Sequence, residues 1–322
     1  MTPRDLDEDD IRSRPKRSSR PRTKDRPDYS EARQGRVIAV DRGRTACLIE
    51  STGLILTAMK SRELGKKSVV VGDLVGLVGD LSGAQGSLAR IVLVHPRTNV
   101  LTRTVDDDAA FERMIVANVD QIAIVIAAAD PEPRHGFVDR ALVVAFDQKI
   151  KPFIIVTKCD LADPAEFLSM YKDLEVESIQ IQRGMDLTEL RAQLTGKRTV
   201  LLGHSGVGKS TLVNALILSA DRATGDVNAA TGRGRHTSSS AIALQLEDNS
   251  NGWIIDTPGV RSFGLSHVDR ARVISAFPEF VAAIEYCPRN CSHDEADCAL
   301  NNWPSLNEQA RSRLTNLRRL LR

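Results

Sequence analysis

Between Gly35 and Arg97 the apolar residues fall in short runs separated by glycine-rich turns: Arg36–Val40, Thr45–Ile49, Ile55–Ala58, Val69–Val71, Leu74–Val78 and Arg90–Val94. Short β-rich runs with no stretch of helical spacing predict five or six strands closing into a small barrel over residues 35–98. An OB-like barrel fits that size, and an SH3-like barrel would carry the same pattern. After His95-Pro96 the pattern changes. Apolar runs suited to buried strands (Asp120–Ala128, Phe153–Val156, Thr199–Leu202) alternate with helical spacing over Val138–Gln148, Ala165–Leu174, Asp186–Leu194 and Lys209–Leu218. That alternation predicts a parallel sheet covered by helices, completed by strands Ala241–Leu246 and Gly252–Ile255, and so an α/β domain over residues 99–266. Residues 267–322 read as a mostly helical C-terminal domain.

Composition changes this picture mainly at the ends. Residues 1–34 include Arg12, Arg14, Lys16, Arg17, Arg20, Arg22, Lys24 and Arg26 among Pro and Ser. Such a segment cannot bury a core and is expected to be a disordered basic tail, either a solvated arm or a nonspecific contact to nucleic-acid phosphates. A second basic cluster, Arg311, Arg313, Arg318, Arg319 and Arg322, shares the last predicted helix with Leu314, Leu317 and Leu320. The whole chain of 322 residues carries a net charge of only +2 and has an ordinary globular composition. Its longest apolar runs, such as Ile122–Ala129, are too short to cross a bilayer. The acidic start, Met1–Asp10, lacks the apolar stretch of a secretory signal, so a cytoplasmic, membrane-free protein is expected.

The chemistry concentrates in four places. Gly203-His204-Ser205-Gly206-Val207-Gly208-Lys209-Ser210-Thr211 follows an apolar strand and opens a helix, the context a Walker A loop requires. There the backbone N–H groups and the helix N-terminus face a polyphosphate, Lys209 reaches its terminal phosphates, and Ser210 is placed to ligate magnesium. Asp256-Thr257-Pro258-Gly259, after the strand ending at Ile255, fits the second magnesium and γ-phosphate element, with Asp256 near the metal and the Gly259 amide sensing the phosphate. Between these motifs, Thr231–Ser238 is rich in Gly and Arg and has no apolar anchor. It is expected to be a switch loop in which Thr237 completes the magnesium shell. Val260 stands where a glutamine would orient the attacking water. His236, beside Thr237, is the candidate for that role, although it could instead contact backbone or a partner surface, and Lys209, on the terminal phosphates, is the other catalytic candidate.

Base identity rests on Thr157-Lys158-Cys159-Asp160, directly after the strand Phe153–Val156. A carboxylate at Asp160 accepts two hydrogen bonds from guanine, whereas adenine would leave it unpaired. The more usual asparagine is replaced by Thr157, whose hydroxyl supplies only part of an amide's hydrogen bonding. Asp160 precedes Gly203 by about forty residues, the reverse of the ordinary order, so the motifs are circularly permuted. Ser178 falls where a base-supporting loop is expected. Further on, Cys287, Cys291, His293 and Cys298 supply the three thiols and one imidazole of a closed tetrahedral zinc site, against the alternative of free or redox-active thiols.

Together with Asn118-Val119-Asp120 at the entry to the first α/β strand, these motifs resemble the circularly permuted ribosome small-subunit-dependent GTPase A family, also called RsgA or YjeQ. The resemblance implies an OB-like barrel, a permuted P-loop GTPase domain and a zinc-binding helical domain. It also implies GTP hydrolysis with Mg2+, one structural Zn2+, and binding to the small ribosomal subunit and its rRNA during late maturation, with turnover stimulated by the subunit and the protein a monomer. Thr157 and the short spacing within the Cys/His loop depart from the family's usual pattern. A P-loop ATPase, or a zinc-dependent RNA-binding protein with weak nucleotide turnover, is the alternative.

Overall fold

The computed structural model describes residues 29–41, 43–65, 68–104, 112–217, 241–246, 251–257, 268–303 and 307–322. The chain divides into two units, Met1–Glu31 and Ala32–Arg322; the elements below all belong to the second. The basic stretch Arg12–Arg26 of the expected tail lies outside the described residues.

Five strands form the N-terminal barrel: β1 (Arg33–Asp41), β2 (Arg44–Ile49), β3 (Leu54–Lys60), β4 (Leu74–Gly79) and β5 (Ala89–Val94). The order β1-β2-β3-β5-β4 closes because β4 returns to pair with the first half of β1, Arg33↔Leu77 through Arg36↔Leu74. Alternate residues point inward, so Val37, Cys47, Leu56, Ala58, Val75, Leu77, Ala89 and Ile91 make a separate small core. The expected strand Val69–Val71 is not one. Val70 N donates to Asp73 Oδ2 at 2.9 Å, and Val71 makes only an isolated bridge to Val116. Asp73, fully buried, thus uses its side chain to fold the segment into a turn, and its charge is met by Arg97 at 2.6 and 2.8 Å.

A hairpin the hydrophobic pattern did not predict, β6 (Val100–Thr104) with β7 (Glu112–Ala117), leads out of the barrel. It is followed by β8 (Gln121–Ala127), helix α1 (His135–Asp147), β9 (Lys151–Thr157), α2 (Ala165–Ser169), β10 (Glu177–Gln180), α3 (Thr188–Leu194), β11 (Arg198–Leu202), α4 (Lys209–Leu216), β12 (Ile242–Gln245) and β13 (Trp253–Asp256). Strands β10-β9-β8-β11-β13 lie parallel in that order, and β12 adds antiparallel to β13. Every residue of β8 is buried, as a strand covered on both faces requires. The edge of β12 is covered by the barrel. Ala39 of β1 pairs with Ile242, making one continuous eleven-stranded sheet of the two parts.

Their joint is tight. Gly72 has φ of +90°, and a Cβ there would lie 1.9 Å from Ala117 O, so no other residue fits. Asn118 Nδ2 donates to Gly72 O at 3.1 Å while its Oδ1 accepts from Thr98 N at 2.8 Å. Asn118 is therefore a structural fastener between barrel and sheet.

Helix α1 buries Phe137, Val138, Ala141, Leu142, Val144 and Ala145, a stripe at three- and four-residue spacing, against the sheet and the C-terminal helices. Those helices are α5 (Arg270–Ile274), α6 (Pro278–Ile284) and α7 (Glu308–Leu321). At the end of α1 the buried Asp147 carboxylate accepts from Asp269 N at 2.9 Å and from Arg272 Nε at 2.8 Å, docking the start of α5. Among the described residues no helix is long and apolar enough to cross a membrane.

Candidate nucleotide site and metal centre

The loop from Gly203 to Gly208 joins β11 to α4 at the carboxyl end of the parallel strands, where α/β sheets place their ligands. Two glycines are required by space and backbone. A Cβ on Gly203 would sit 2.4 Å from Val125 O, and Gly208, at φ +92°, turns the chain into α4. The open N-terminus of α4 begins at Lys209, followed by the exposed Ser210 and Thr211. Lys209 Nζ donates to Gly203 O at 2.5 Å and His204 O at 2.7 Å, so the ammonium lies along the mouth of the loop.

Asp256 ends β13, in register with Leu201 of β11 one strand away. Its Oδ1 is buried and has no hydrogen-bond partner among the described residues. Burial holds the Asp256 carboxyl above its ordinary range against the pull of Lys209, and it holds the Lys209 ammonium below its own range. A buried carboxylate oxygen without a donor beside a helix N-terminus suits a hard divalent cation. Thr257 Oγ1 donates to Leu201 O at 3.0 Å and fixes the strand end. Gly259, His236 and Thr237, with the whole expected switch loop and Val260, lie outside the described residues.

Thr157 ends β9, two strands from β11, and with the Lys158–Asp160 turn that follows it is fastened to the Gly203–Gly208 loop. Thr157 Oγ1 donates to Val207 O at 2.6 Å and lies 3.2 Å from Ile126 O, both in buried surroundings. The threonine that breaks the sequence pattern therefore makes the cross-loop bond itself. Lys158, at φ +56°, donates its ammonium to Asp130 O, and Cys159 N donates to Ile181 O at 3.2 Å. Asp160 is exposed beyond them. Ser178, expected in a base-supporting loop, instead lies within strand β10, paired with Ile154. Four residues give too little periodicity to separate strand from loop in the sequence. Beside the phosphate loop, a cavity of about 420 Å³ is lined by Pro131, Arg134, Phe137, His204 and Ser205. His204 packs on Phe137 at 4.4 Å. Burial pushes the pKa of its ring down, with the Arg134 and Lys209 charges adding to the effect.

Cys287, Cys291, His293 and Cys298 come together between α6 and α7, with their ligand atoms all within 4.8 Å of one another. Cys287 Sγ lies 3.8 Å from Cys298 Sγ and 3.6 Å from His293 Nδ1. A tetrahedral centre with Zn–S bonds of about 2.3 Å spaces its sulfurs about 3.8 Å apart, so the set fits zinc with the imidazole bound through Nδ1. The terminal arginines, which charge alone left as a cluster, mostly face inward. Arg313 bonds Glu279 at 2.5 Å and Asp173 O at 2.6 Å, Arg319 lies 3.1 Å from Asp139, and Arg318 donates to His293 O at 2.7 Å. No sequence signal separates such arginines from solvated ones.

Comparison with known proteins bears on the family of the chain. The family model for the RsgA GTPase matches residues 94–266. The "Small ribosomal subunit biogenesis GTPase RsgA" of Pseudomonas aeruginosa (strain LESB58) is 39% identical over 220 residues, 65% of this chain and 63% of that protein. The chain thus spans a little under two thirds of that relative's length. The protein of the same name from Burkholderia mallei (strain SAVP1) is 35% identical over 280 residues, 84% of this chain and 85% of the relative. Among solved structures, YjeQ from Thermotoga maritima superposes with a TM-score of 0.63 at 26% identity, covering 90% of this chain and 97% of that one. With a family model over more than half its length and a relative 35% identical over 84% of it, the chain belongs to the RsgA GTPase family.

Proposed function

We propose that this protein binds and hydrolyses GTP and acts in maturation of the small ribosomal subunit. The observation that carries the reading is the hydrogen bond from Thr157 Oγ1 to Val207 O. It joins a base-recognition loop and a phosphate loop that occur in reversed order along the chain, so that one nucleotide can span both.

Within that pocket the roles follow from chemistry. Asp160 accepts the two donors of guanine, and the Lys158 stem lies along the base. The amides from Gly203 to Gly208 and the N-terminus of α4 hold the phosphates, with Lys209 leaving its carbonyl partners for the β- and γ-phosphates. Ser210, Thr237 and Asp256 are assigned to magnesium, which when bound neutralises charge on the phosphates. Gly259 reads the γ-phosphate, and His236 takes the water-positioning role that Val260 cannot fill. Cys287, Cys291, His293 and Cys298 hold one structural zinc.

For the RNA of the subunit, the barrel offers a cross-strand row on its outer face. Arg44, Met59 and Arg90 are register partners on β2, β3 and β5, and all three are exposed. Two guanidiniums flanking an apolar thioether suit phosphate and base-face contact. The barrel, the α/β part and the C-terminal helices are proposed as domains 35–98, 99–266 and 267–322, working in the cytoplasm where ribosomes assemble.

The test is titration of the nucleotide-free protein with GTP, GDP and ATP, followed by turnover with and without purified small subunits. Guanine nucleotides are expected to bind and ATP not to, with turnover rising by orders of magnitude on the subunit. Equal affinity for ATP, or a rate indifferent to subunits, overturns the proposal.

A further inference from the structure

The Cys/His loop is held unevenly. Cys287 and Cys291 sit on short turns of their own, Cys287 N donating to Ile284 O at 3.1 Å and Cys291 N to Pro288 O at 3.2 Å. The second half, which carries His293 and Cys298, has one such turn, Cys298 N donating to Glu295 O at 3.2 Å, and is in addition gripped from outside. Arg318 of α7 donates Nε to His293 O at 2.7 Å and Nη2 to Asn301 Oδ1 at 2.5 Å. Asn301 in turn donates Nδ2 to Glu295 O and Ala296 O, both at 2.9 Å, and its own N–H to Cys298 O at 3.0 Å. Four carbonyls, those of the two ligands and two between them, are thus held by one arginine–asparagine pair.

This grip has a task. His293 has φ of +70°, the left-handed region that a side chain other than glycine enters at a cost. That conformation directs Nδ1 between the sulfurs, 3.6 Å from Cys287 and 3.9 Å from Cys298. The arginine comes from a helix fixed independently of the loop, since Arg313 and Ser312 of α7 both bond Asp173, through its backbone oxygen and its carboxylate respectively. The backbone that carries Arg318 is therefore anchored by contacts that do not involve the Cys/His loop.

We propose that Arg318, acting through Asn301 and the His293 carbonyl, is the positioning residue that pre-organises His293 and Cys298 for the metal; this rests on reading the cluster as a metal site. An outer partner that fixes ligand orientation is worth about 10- to 100-fold in metal affinity. Arg322, at the end of α7, is a control that reaches the same loop, because its hydrogen bonds among the described residues go to the Asp294 carboxylate alone, at 3.0 and 3.2 Å.

The experiment uses the full chain. Zinc affinity is measured by competition with a chromophoric chelator, ligand geometry from the ligand-field spectrum of the cobalt(II) form, and folding by circular dichroism. Arg318→Met, which keeps the stem and removes both donors, is expected to weaken zinc by about 10- to 100-fold while reaching the native cobalt spectrum at saturation. Arg318→Lys should recover part of the loss, and Arg322→Met should match the native protein. If Arg318→Met misfolds, Asn301→Ala carries the test, with a loss in the same direction expected. Native zinc affinity in a folded Arg318→Met or Asn301→Ala protein overturns the positioning role and leaves the metal site standing. Absence of zinc or cobalt binding by the native chain overturns the metal site, and the proposal with it.

Discussion

Replacing Thr157 with valine removes one hydroxyl and keeps the branched shape, so it isolates the bond between the base loop and the phosphate loop. That hydroxyl has a single hydrogen, donated to Val207 O at 2.6 Å, with Ile126 O at 3.2 Å as a second acceptor. A buried carbonyl left without its donor costs about 1–3 kcal/mol. At about 1.4 kcal/mol per tenfold, the cost corresponds to roughly 5- to 150-fold in an equilibrium constant. If the bond sets the spacing between the two loops, the loss falls on nucleotide affinity, and GDP and GTP weaken together because the bond touches neither the γ-phosphate nor the base. Titration with ribose-labelled GDP and GTP measures the effect, with a thermal melt run alongside to record the loss in stability. Thr157→Ser keeps the hydroxyl and should bind as the native protein does. A Thr157→Val protein with undiminished affinity for both nucleotides refutes the reasoning, because the bond would then be incidental to how the two loops are spaced.

Two further predictions concern the frame that holds the site. Gly72→Ala places a Cβ 1.9 Å from Ala117 O at a residue with φ +90°, so urea unfolding should show a loss of more than about 3 kcal/mol; an unchanged midpoint would mean that the joint between barrel and sheet yields freely. Burial raises the Asp120 carboxyl, but the side-chain and backbone hydrogen bonds to Arg198 and its charge outweigh this and leave the group below its ordinary value of 3.8. Its stabilising effect is therefore present above that value and fades as pH falls through the lower folded value. Arg198→Met should flatten the stability profile below about pH 4 and lower the plateau above it by no more than about 1 kcal/mol, as the pair is partly exposed; a steeper acid limb in the variant would reverse the assigned sign.

The sequence alone determined the parts that depend on local pattern. Short β-rich runs between glycine-rich turns marked the barrel strands, unbroken apolar runs marked β8, β9 and β11, and the spacing of Gly203–Ser210 and of Cys287–Cys298 marked two chemical sites, because each of these signals is carried by residues close together in the chain. Where the side chain of one residue replaced backbone pairing, as Asp73 does at Val70, the same pattern misled. The four residues of β10 and the hairpin of β6 and β7 were too short or too polar to register. Tertiary structure decided the rest. Periodicity states which face of a strand is buried but not what lies beside it, so the Ala39–Ile242 pairing that joins barrel to sheet could not be read. The value of Thr157 depends on a carbonyl fifty residues away, and that of Arg318 on a loop twenty-five residues before it. A hydroxyl or a guanidinium looks the same in sequence whether it meets water or a buried oxygen, and only the folded chain distinguishes the two.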